Sequence, residues 1–413
     1  MWALTPGQEH ILRKEPLVIG RPPLLRQTNA GLLLRLLRES GPCSKADLVR
    51  ASGLSAPTVT NVVAHLASAG LVEPIGEGES TGGRPPDILR FRSERGCVIA
   101  AEISPDFVTL LAADLEGREM GQAKAAFARG ASSPKEICEL IGREVRLLLK
   151  KIKRTQEQLV RVVVSVPAIV DGSAGVVLSF SKLKNWRDVP LPSLLGRELK
   201  CPVDVENDTN LAAQGEFSHG AARGEKNFVF ITIGEGVGAG IFVDGKVYRG
   251  ARWSAGEIGY LRVPSVSREQ PTIRGYGRLE KMLGAPGILK SWNSAGGGPR
   301  SRLKVRCATD VFDLAAAGNG RAKKILRQKA EILADVVLDL ALILNPGMIL
   351  LGGEVGSHPV LLREVKELLA GSEFGVSSIG NGELGTSAGL WGGIASALDS
   401  GIAGLLQTAQ TAV

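Results

Sequence analysis

A small helical unit closed by a β-hairpin, placed ahead of a much larger α/β region, is the organisation the sequence predicts. Three observations carry it. Short runs of helical apolar spacing with cap residues fill residues 29–70, and a Gly/Pro-rich stretch between two short apolar strands follows at 71–91. From Gly96 onward, β-rich runs alternate with helix-period segments. At 413 residues the chain also exceeds the roughly 100–200 residues of one ordinary domain, so more than one folding unit is expected.

Composition narrows the function classes. Hydrophobic residues make up 44% and charged residues 22%, which fits a soluble globular protein with a proper core. A net charge of +8 favours polyanionic partners without deciding for them. The five cysteines, Cys43, Cys97, Cys138, Cys201 and Cys307, are odd in number and far apart, which argues against a disulfide framework and points to a reducing cytoplasm. No apolar run reaches the roughly 18 residues of a membrane span, and residues 1–6 do not begin an export signal, so no membrane partner is expected.

In the helical unit, Leu32, Leu33, Leu36 and Leu37 recur at helical spacing between Asn29 and Arg38, and Gly41-Pro42 closes that helix. Ser44 and Asp47 form a Ser-x-x-Asp cap for a short helix from Lys45 to Ala51, ended by Gly53. Ser55 caps the next helix, which has Pro57 in its first turn and runs through Val59, Val62, Val63 and Leu66 to Gly70. Two short helices joined by a tight glycine-containing turn make a helix-turn-helix, whose second helix enters the DNA major groove by its N-terminal residues. The expected base readers are Ser55, Ala56, Thr58, Val59 and Asn61, with Ser44 and Lys45 as further DNA contacts. No acidic residue falls between Asp47 and Glu73. A hairpin wing follows, and Arg84, framed by Gly83 and Pro85, is expected either to enter a minor groove or to lie in a solvated hinge. With twelve basic and nine acidic residues before Gly96, the head carries a net charge of only +3, so placement matters more than field.

In the large region, strands are expected at Val98–Glu102, Val108–Asp114, Val160–Val166 and Phe228–Ile233. The run Gly234-Glu235-Gly236-Val237-Gly238-Ala239-Gly240 suits either a phosphate loop or a bare hairpin turn. More specific is an ordered series: Val166-Pro167-Ala168, Asn185-Trp186-Arg187-Asp188-Val189-Pro190-Leu191, Val205-Glu206-Asn207-Asp208-Thr209-Asn210, the glycine run, and Ala255-Gly256-Glu257-Ile258-Gly259-Tyr260. The series resembles the ROK family (repressor, open reading frame, kinase), from about Leu24 to the end. Its repressors carry a winged helix-turn-helix followed by a Gly-Gly-Arg-Pro segment, here residues 82–85.

The resemblance implies an N-terminal extension at 1–23, a winged helix-turn-helix at 24–92 and, at 96–413, an actin-like ATPase fold of two α/β lobes with a sugar in the cleft between them. It places Asn207, Asp208, Glu257 and Glu280 among the sugar contacts, with Tyr260 beside them where the family has a His; in the kinases the Asp at position 208 is the base. The chain departs from the kinases in two respects. Where they have Asp-x-Gly-Gly-Thr it has Glu102-Ile103-Ser104-Pro105-Asp106, and Glu235 replaces a Thr of the second phosphate loop, so a donor is lost and negative charge is added where phosphate should lie. The family's zinc positions hold Tyr260, Pro271, Ile273 and Arg278, none of which ligates zinc. The expectation is therefore a regulator that binds double-stranded operator DNA as a homodimer or dimer of dimers. Its effector would be a small carbohydrate or sugar phosphate, with no catalytic residues, metal or cofactor. The alternatives are an active ATP-dependent sugar kinase with an accessory DNA-binding head, and a regulator that reads a protein partner.

Overall fold

The computed structural model describes residues 22–77, 86–127, 133–179, 186–262, 277–297, 303–372 and 378–411. They separate into two compact units, one of residues up to Arg95 together with those from Ile402, the other Gly96–Gly401.

The first unit opens with α1 (Pro22–Ser40), longer than the apolar spacing alone predicts because Pro22 and Pro23 fit a first helical turn, where a missing N–H costs nothing. β1 (Cys43–Ser44), α2 (Lys45–Ser52) and α3 (Ala56–Ser68) follow. Leu33, Leu34, Leu37, Leu48, Val59, Val62, Val63 and Leu66 are buried and form the core of the three helices. Ser44 caps α2 reciprocally: its Oγ accepts from Asp47 N at 3.2 Å, while Asp47 Oδ2 accepts from Ser44 N at 2.9 Å and from Ser44 Oγ at 2.6 Å. These bonds from Ser44 hold the Asp47 carboxyl below the usual range. Gly53 ends α2 in the left-handed region at φ 69°. β2 (Val72–Glu77) and β3 (Asp87–Phe91) pair antiparallel as the expected wing, and β1 adds to β3 with Cys43 opposite Leu89.

The second unit holds two five-stranded sheets wired alike. In the first, β4 (Cys97–Ile103), β5 (Phe107–Asp114) and β6 (Glu119–Ala126) form an antiparallel meander. After α4 (Pro134–Lys151), β7 (Leu159–Val166) lies parallel to β4. A small sheet of β8 (Ile169–Asp171), β9 (Val176–Ser179) and β10 (Arg187–Val189) and then α5 (Leu191–Leu199) lead to β11 (Val203–Asn207), parallel to β7. The helix α6 (Asp208–Ser218) leads into the second sheet. There β12 (Phe228–Ile233), β13 (Val237–Val243) and β14 (Lys246–Val247) repeat the meander. α7 (Arg278–Leu283), α8 (Ala285–Trp292), α9 (Ala308–Ala316) and α10 (Gly320–Leu344) precede β15 (Met348–Gly352), which is parallel to β12. After α11 (Gly353–Gly356) and α12 (Pro359–Leu369), β16 (Ile379–Asn381) adds parallel to β15, and α13 (Ala388–Thr411) closes the chain. This repeated order makes two lobes, each with its own apolar core between sheet and helices.

The glycine-rich run proves to be a hairpin turn at 234–236 followed by β13, and its glycines seat α6. A Cβ on Gly240 would lie 2.5 Å from Ala213 Cβ and 2.8 Å from Thr209 O. On its other side α6 meets α13, where a Cβ on Gly392 would lie 1.8 Å from Leu211 O. The fully buried Glu216 ties the end of α6 down, accepting from Ala221 N, Glu383 N and Leu384 N at 2.9–3.0 Å. The stretch Gly385–Gln407 is long and apolar enough to cross a membrane by length and composition, contrary to the expectation that no run reaches that length. Its apolar window is 61% buried in the fold, as befits an Ala/Gly-rich core helix.

Gly392→Ala should lower the stability of the second unit by about 2 kcal/mol or more, because backbone and not a movable side chain meets the new methyl. Urea denaturation followed by far-UV circular dichroism measures this; a wild-type midpoint would contradict the close crossing.

Candidate functional site

On α3, Ala56, Pro57, Thr60, Asn61 and Ala64 are exposed on the face opposite the core. Ser55 caps the helix, its Oγ 2.8 Å from Thr58 Oγ1 and 3.3 Å from Thr58 N, so these two hydroxyls meet at the exposed helix start. Two expected DNA contacts are corrected. Val59 is fully buried, since the period of Val59, Val62, Val63 and Leu66 turns it inward, and Ser44 is 5% exposed with its hydroxyl committed to Asp47. Thr60 takes the place of Val59 on the outward face; its spacing of three from Pro57 was the available signal. Lys45 is half-buried in the first turn of α2. Arg84 and the rest of the Gly-Gly-Arg-Pro segment lie outside the described residues.

In the second unit, a cavity of about 600 Å³ lies at the C-terminal ends of β4, β7, β11 and β12, the edge where open α/β sheets offer ligand crevices. It brings together all five expected sugar contacts: Asn207, Asp208, Glu257, Tyr260 and Glu280. Asn207 is the cap of α6, its Oδ1 accepting from Thr209 N at 2.9 Å and Asn210 N at 3.0 Å. Its Nδ2 donates to Ala168 O at 3.2 Å, which ties the cap to the segment after β7. Asp208 therefore is not the cap. It stands in the first turn, where the helix dipole favours a carboxylate, and its Oδ1 accepts from Thr209 N at 2.7 Å. Glu280 Oε2 accepts from Gly277 N at 3.0 Å, which closes the first turn of α7.

The cleft is crowded with acid. Glu102, Asp106, Asp208, Glu235, Glu257, Glu280 and Glu354 line it, with no Lys, Arg or His among its described lining residues. Burial, with Asp208 next, pushes the Glu102 carboxyl up to about 7. Burial, then Asp208 and Glu280, pushes Glu257 up to about 7 as well. Tyr260 is raised by burial and by the same two glutamates, Glu257 and Glu280. Near neutral pH Glu102 and Glu257 can thus each donate or accept, which suits adjacent sugar hydroxyls. In the sequence Glu102 marks only a departure from a kinase motif, because its burial depends on distant segments.

Neither group that the family resemblance implies fits this lining. A nucleotide triphosphate would face Glu102, Asp106, Glu235 and Glu354 in a cleft whose described lining residues offer no cation, and Pro105 in the β4–β5 turn has no N–H to give. At the zinc positions Tyr260 presents a phenol and Arg278 a guanidinium; Pro271 and Ile273 lie outside the described residues.

Because Glu257 holds its proton well above the 4.5 of an ordinary glutamate, the folded unit retains a proton the unfolded chain has released, and stability falls as pH rises from about 4.5 to about 7. Glu257→Gln should remove that part of the slope and leave the unit more stable than wild type at pH 8, by about 1–3 kcal/mol. Denaturation at pH 5 and pH 8 measures it, and an unchanged slope would contradict the crowded-acid geometry.

The chain resembles known proteins in sequence and fold. The chain matches the ROK family over residues 107–399 and the MarR family over residues 29–73. It is 26% identical over 349 residues to a protein named xylose repressor from Bacillus spizizenii, covering 84% of this chain and 88% of that one. It is 31% identical over 256 residues to a glucokinase from Halalkalibacterium halodurans, covering 58% and 77%. The crystal structure of a ROK family transcriptional regulator, a homolog of the Escherichia coli MLC protein, superposes with a TM-score of 0.78 at 22% identity, covering 93% of this chain and 98% of that chain. With a MarR-type winged helix-turn-helix ahead of two actin-like lobes, and a family match spanning most of its length, the chain belongs to the ROK family.

Proposed function

We infer that this protein is a sugar-responsive transcriptional repressor. It reads an operator through the outward face of α3 and a sugar through the acidic cleft, and it transfers no phosphoryl group. The observation that carries the reading is the cleft lining: Asn207, Asp208, Glu257 and Glu280 converge on one cavity, while the acids beside them oppose a nucleotide. The DNA-binding domain is 24–92 and the effector domain 96–413. Ser55, Ala56, Thr58, Thr60 and Asn61 supply the contacts at the helix start, and Arg84 acts from the wing. The protein works in the cytoplasm, where its DNA is, as a homodimer whose paired heads require a near-palindromic operator. The relative named xylose repressor makes D-xylose the first sugar to try. An unphosphorylated sugar is favoured over its phosphate, which the lining carboxylates would repel.

The alternative, an active kinase, rests on Asp208 keeping the position of the family's base and on the likeness to a glucokinase.

Asn61→Ala should weaken operator binding by about 1–3 kcal/mol and leave sugar binding intact, whereas Asp208→Ala should do the reverse, losing about 1.5–3 kcal/mol of sugar affinity. Fluorescence anisotropy on operator selected from random DNA, paired with calorimetric sugar titration, separates the two effects. If Asp208→Ala responds to sugar as wild type does, the effector binds elsewhere. Sugar-dependent ATP hydrolysis abolished by Asp208→Asn would establish the kinase instead.

A further inference from the structure

The segment from Tyr248 to Gly256 leaves the edge strand β14 of the second lobe and delivers Glu257 into the cleft. On the way it touches the first lobe twice. Arg249 reaches Glu206, near the end of β11, placing Nε and Nη2 each 2.6 Å from Glu206 Oε2. The glutamate side chain is only 14% exposed, and its other oxygen, Oε1, accepts from Asn207 N and Asn210 Nδ2, both at 3.0 Å. One carboxylate therefore grips the cap of α6 with one oxygen and the second lobe with the other. Four residues on, the ring of Trp253 packs on Gly172 in the β8–β9 turn, where a Cβ would lie 2.9 Å from the indole Cζ3. Trp253 holds φ at 59°, a left-handed conformation that costs an aromatic residue energy and persists only where its surroundings enforce it.

The far end of the segment is fixed to the second lobe. Gly256 O accepts from Ala239 N of β13 at 2.8 Å, while within the segment Ala255 N donates to Arg249 O at 3.1 Å. At Gly256 φ is +88°, and a Cβ would lie 1.9 Å from Ala239 O. Across the cleft, burial and then Asp208 of the first lobe raise Glu257 of the second, and any ionisation of Glu257 pushes the two sides apart. Arg249 is the cation of the segment that bonds across the lobes, and its attraction to Glu206 opposes that push.

We propose that Glu206 and Arg249 are positioning residues for effector recognition: their ion pair straps Glu257 of the second lobe to the Asn207–Asp208 corner of the first, so that both halves of the sugar site are in register before ligand arrives. The proposal rests on the reading of the cleft as the effector site. Neither side chain lines the cavity, so they act through Asn207, Asp208 and Glu257.

The test uses the full-length protein, with D-xylose, D-glucose and N-acetyl-D-mannosamine as calorimetric probes, and hydrogen exchange of residues 249–260 measured without any sugar. Arg249→Gln and Glu206→Gln should each bind the responding sugar about tenfold more weakly, and the double variant should bind no more weakly than either single one, because the two act through one bond. Arg249→Lys, which keeps charge but offers a point in place of a planar fork, should fall between. A merely structural role would lower the melting temperature without changing the sugar dissociation constant or the exchange of this one segment. In every Arg249→Gln preparation that retains wild-type circular dichroism, residues 249–260 should exchange faster than in wild type while β12 and β15 do not. Wild-type sugar affinity in Arg249→Gln, additive losses in the double variant, or unchanged exchange at 249–260 would each overturn the proposal. If none of the three sugars binds wild type, the effector reading is what fails, and the exchange result still decides the strap.

Discussion

The cleft exists because α6 can lie against two neighbours with no side chain in between. On one side β13 supplies Gly240 under Thr209 and Ala213, and on the other α13 supplies Gly392 against the carbonyl of Leu211. Protein interiors resist even one added methylene, so these contacts fix the height and angle of the helix. Its first turn carries Asn207 and Asp208, and its last holds the buried Glu216 that anchors the segment before α13. The glycine-rich run that looks like a phosphate cradle in the sequence serves this packing. Fold and site are thus set by the same few atoms, and the chemistry of the cleft follows from which carboxyls that geometry brings together.

Crowding of acid is the second consequence. Phosphoryl transfer works by neutralising the charge of a nucleotide's phosphates. Here the β4–β5 turn and the β12–β13 hairpin contribute Asp106 and Glu235, and burial, with Asp208 next, drives Glu102 and Glu257 partly neutral. A cleft in that state offers both donors and acceptors to a polyol and little to a polyphosphate. The electrostatic cost of holding these groups together falls on the boundary between the lobes, where the Glu206–Arg249 pair bonds across it.

What was legible in the sequence was local. Ser44 with Asp47, Ser55 with Pro57, and Gly53 announce helix ends because a cap needs only residues three or four apart, and each stands where it was expected. The strands β4, β5, β7 and β12 are readable to within a residue because their apolar runs are continuous. Among the expected sugar contacts, Asn207 and Asp208 follow the end of β11, the edge on which α/β wiring gathers ligand sites, while Glu257, Tyr260 and Glu280 reach the same cavity from a short turn and from α7. Val59 follows its own apolar period inward, which outweighs its place at the helix start. Glu102 and the Glu206–Arg249 pair were not legible: the first depends on burial by distant segments, and the pair joins residues 43 apart through two lobes.

The claim on which the account turns is that one chain couples operator and sugar. Coupling between two sites is reciprocal, so the factor by which sugar changes operator affinity must equal the factor by which operator changes sugar affinity. Measuring both halves of that cycle on the full-length protein, with the same operator fragment and the same sugar, tests the claim most directly. The account predicts equal factors on the order of 5–150, the usual span of such couplings, with no phosphorylated product after prolonged incubation with ATP. Operator affinity that no sugar changes, while the sugar still binds the cleft, would contradict it.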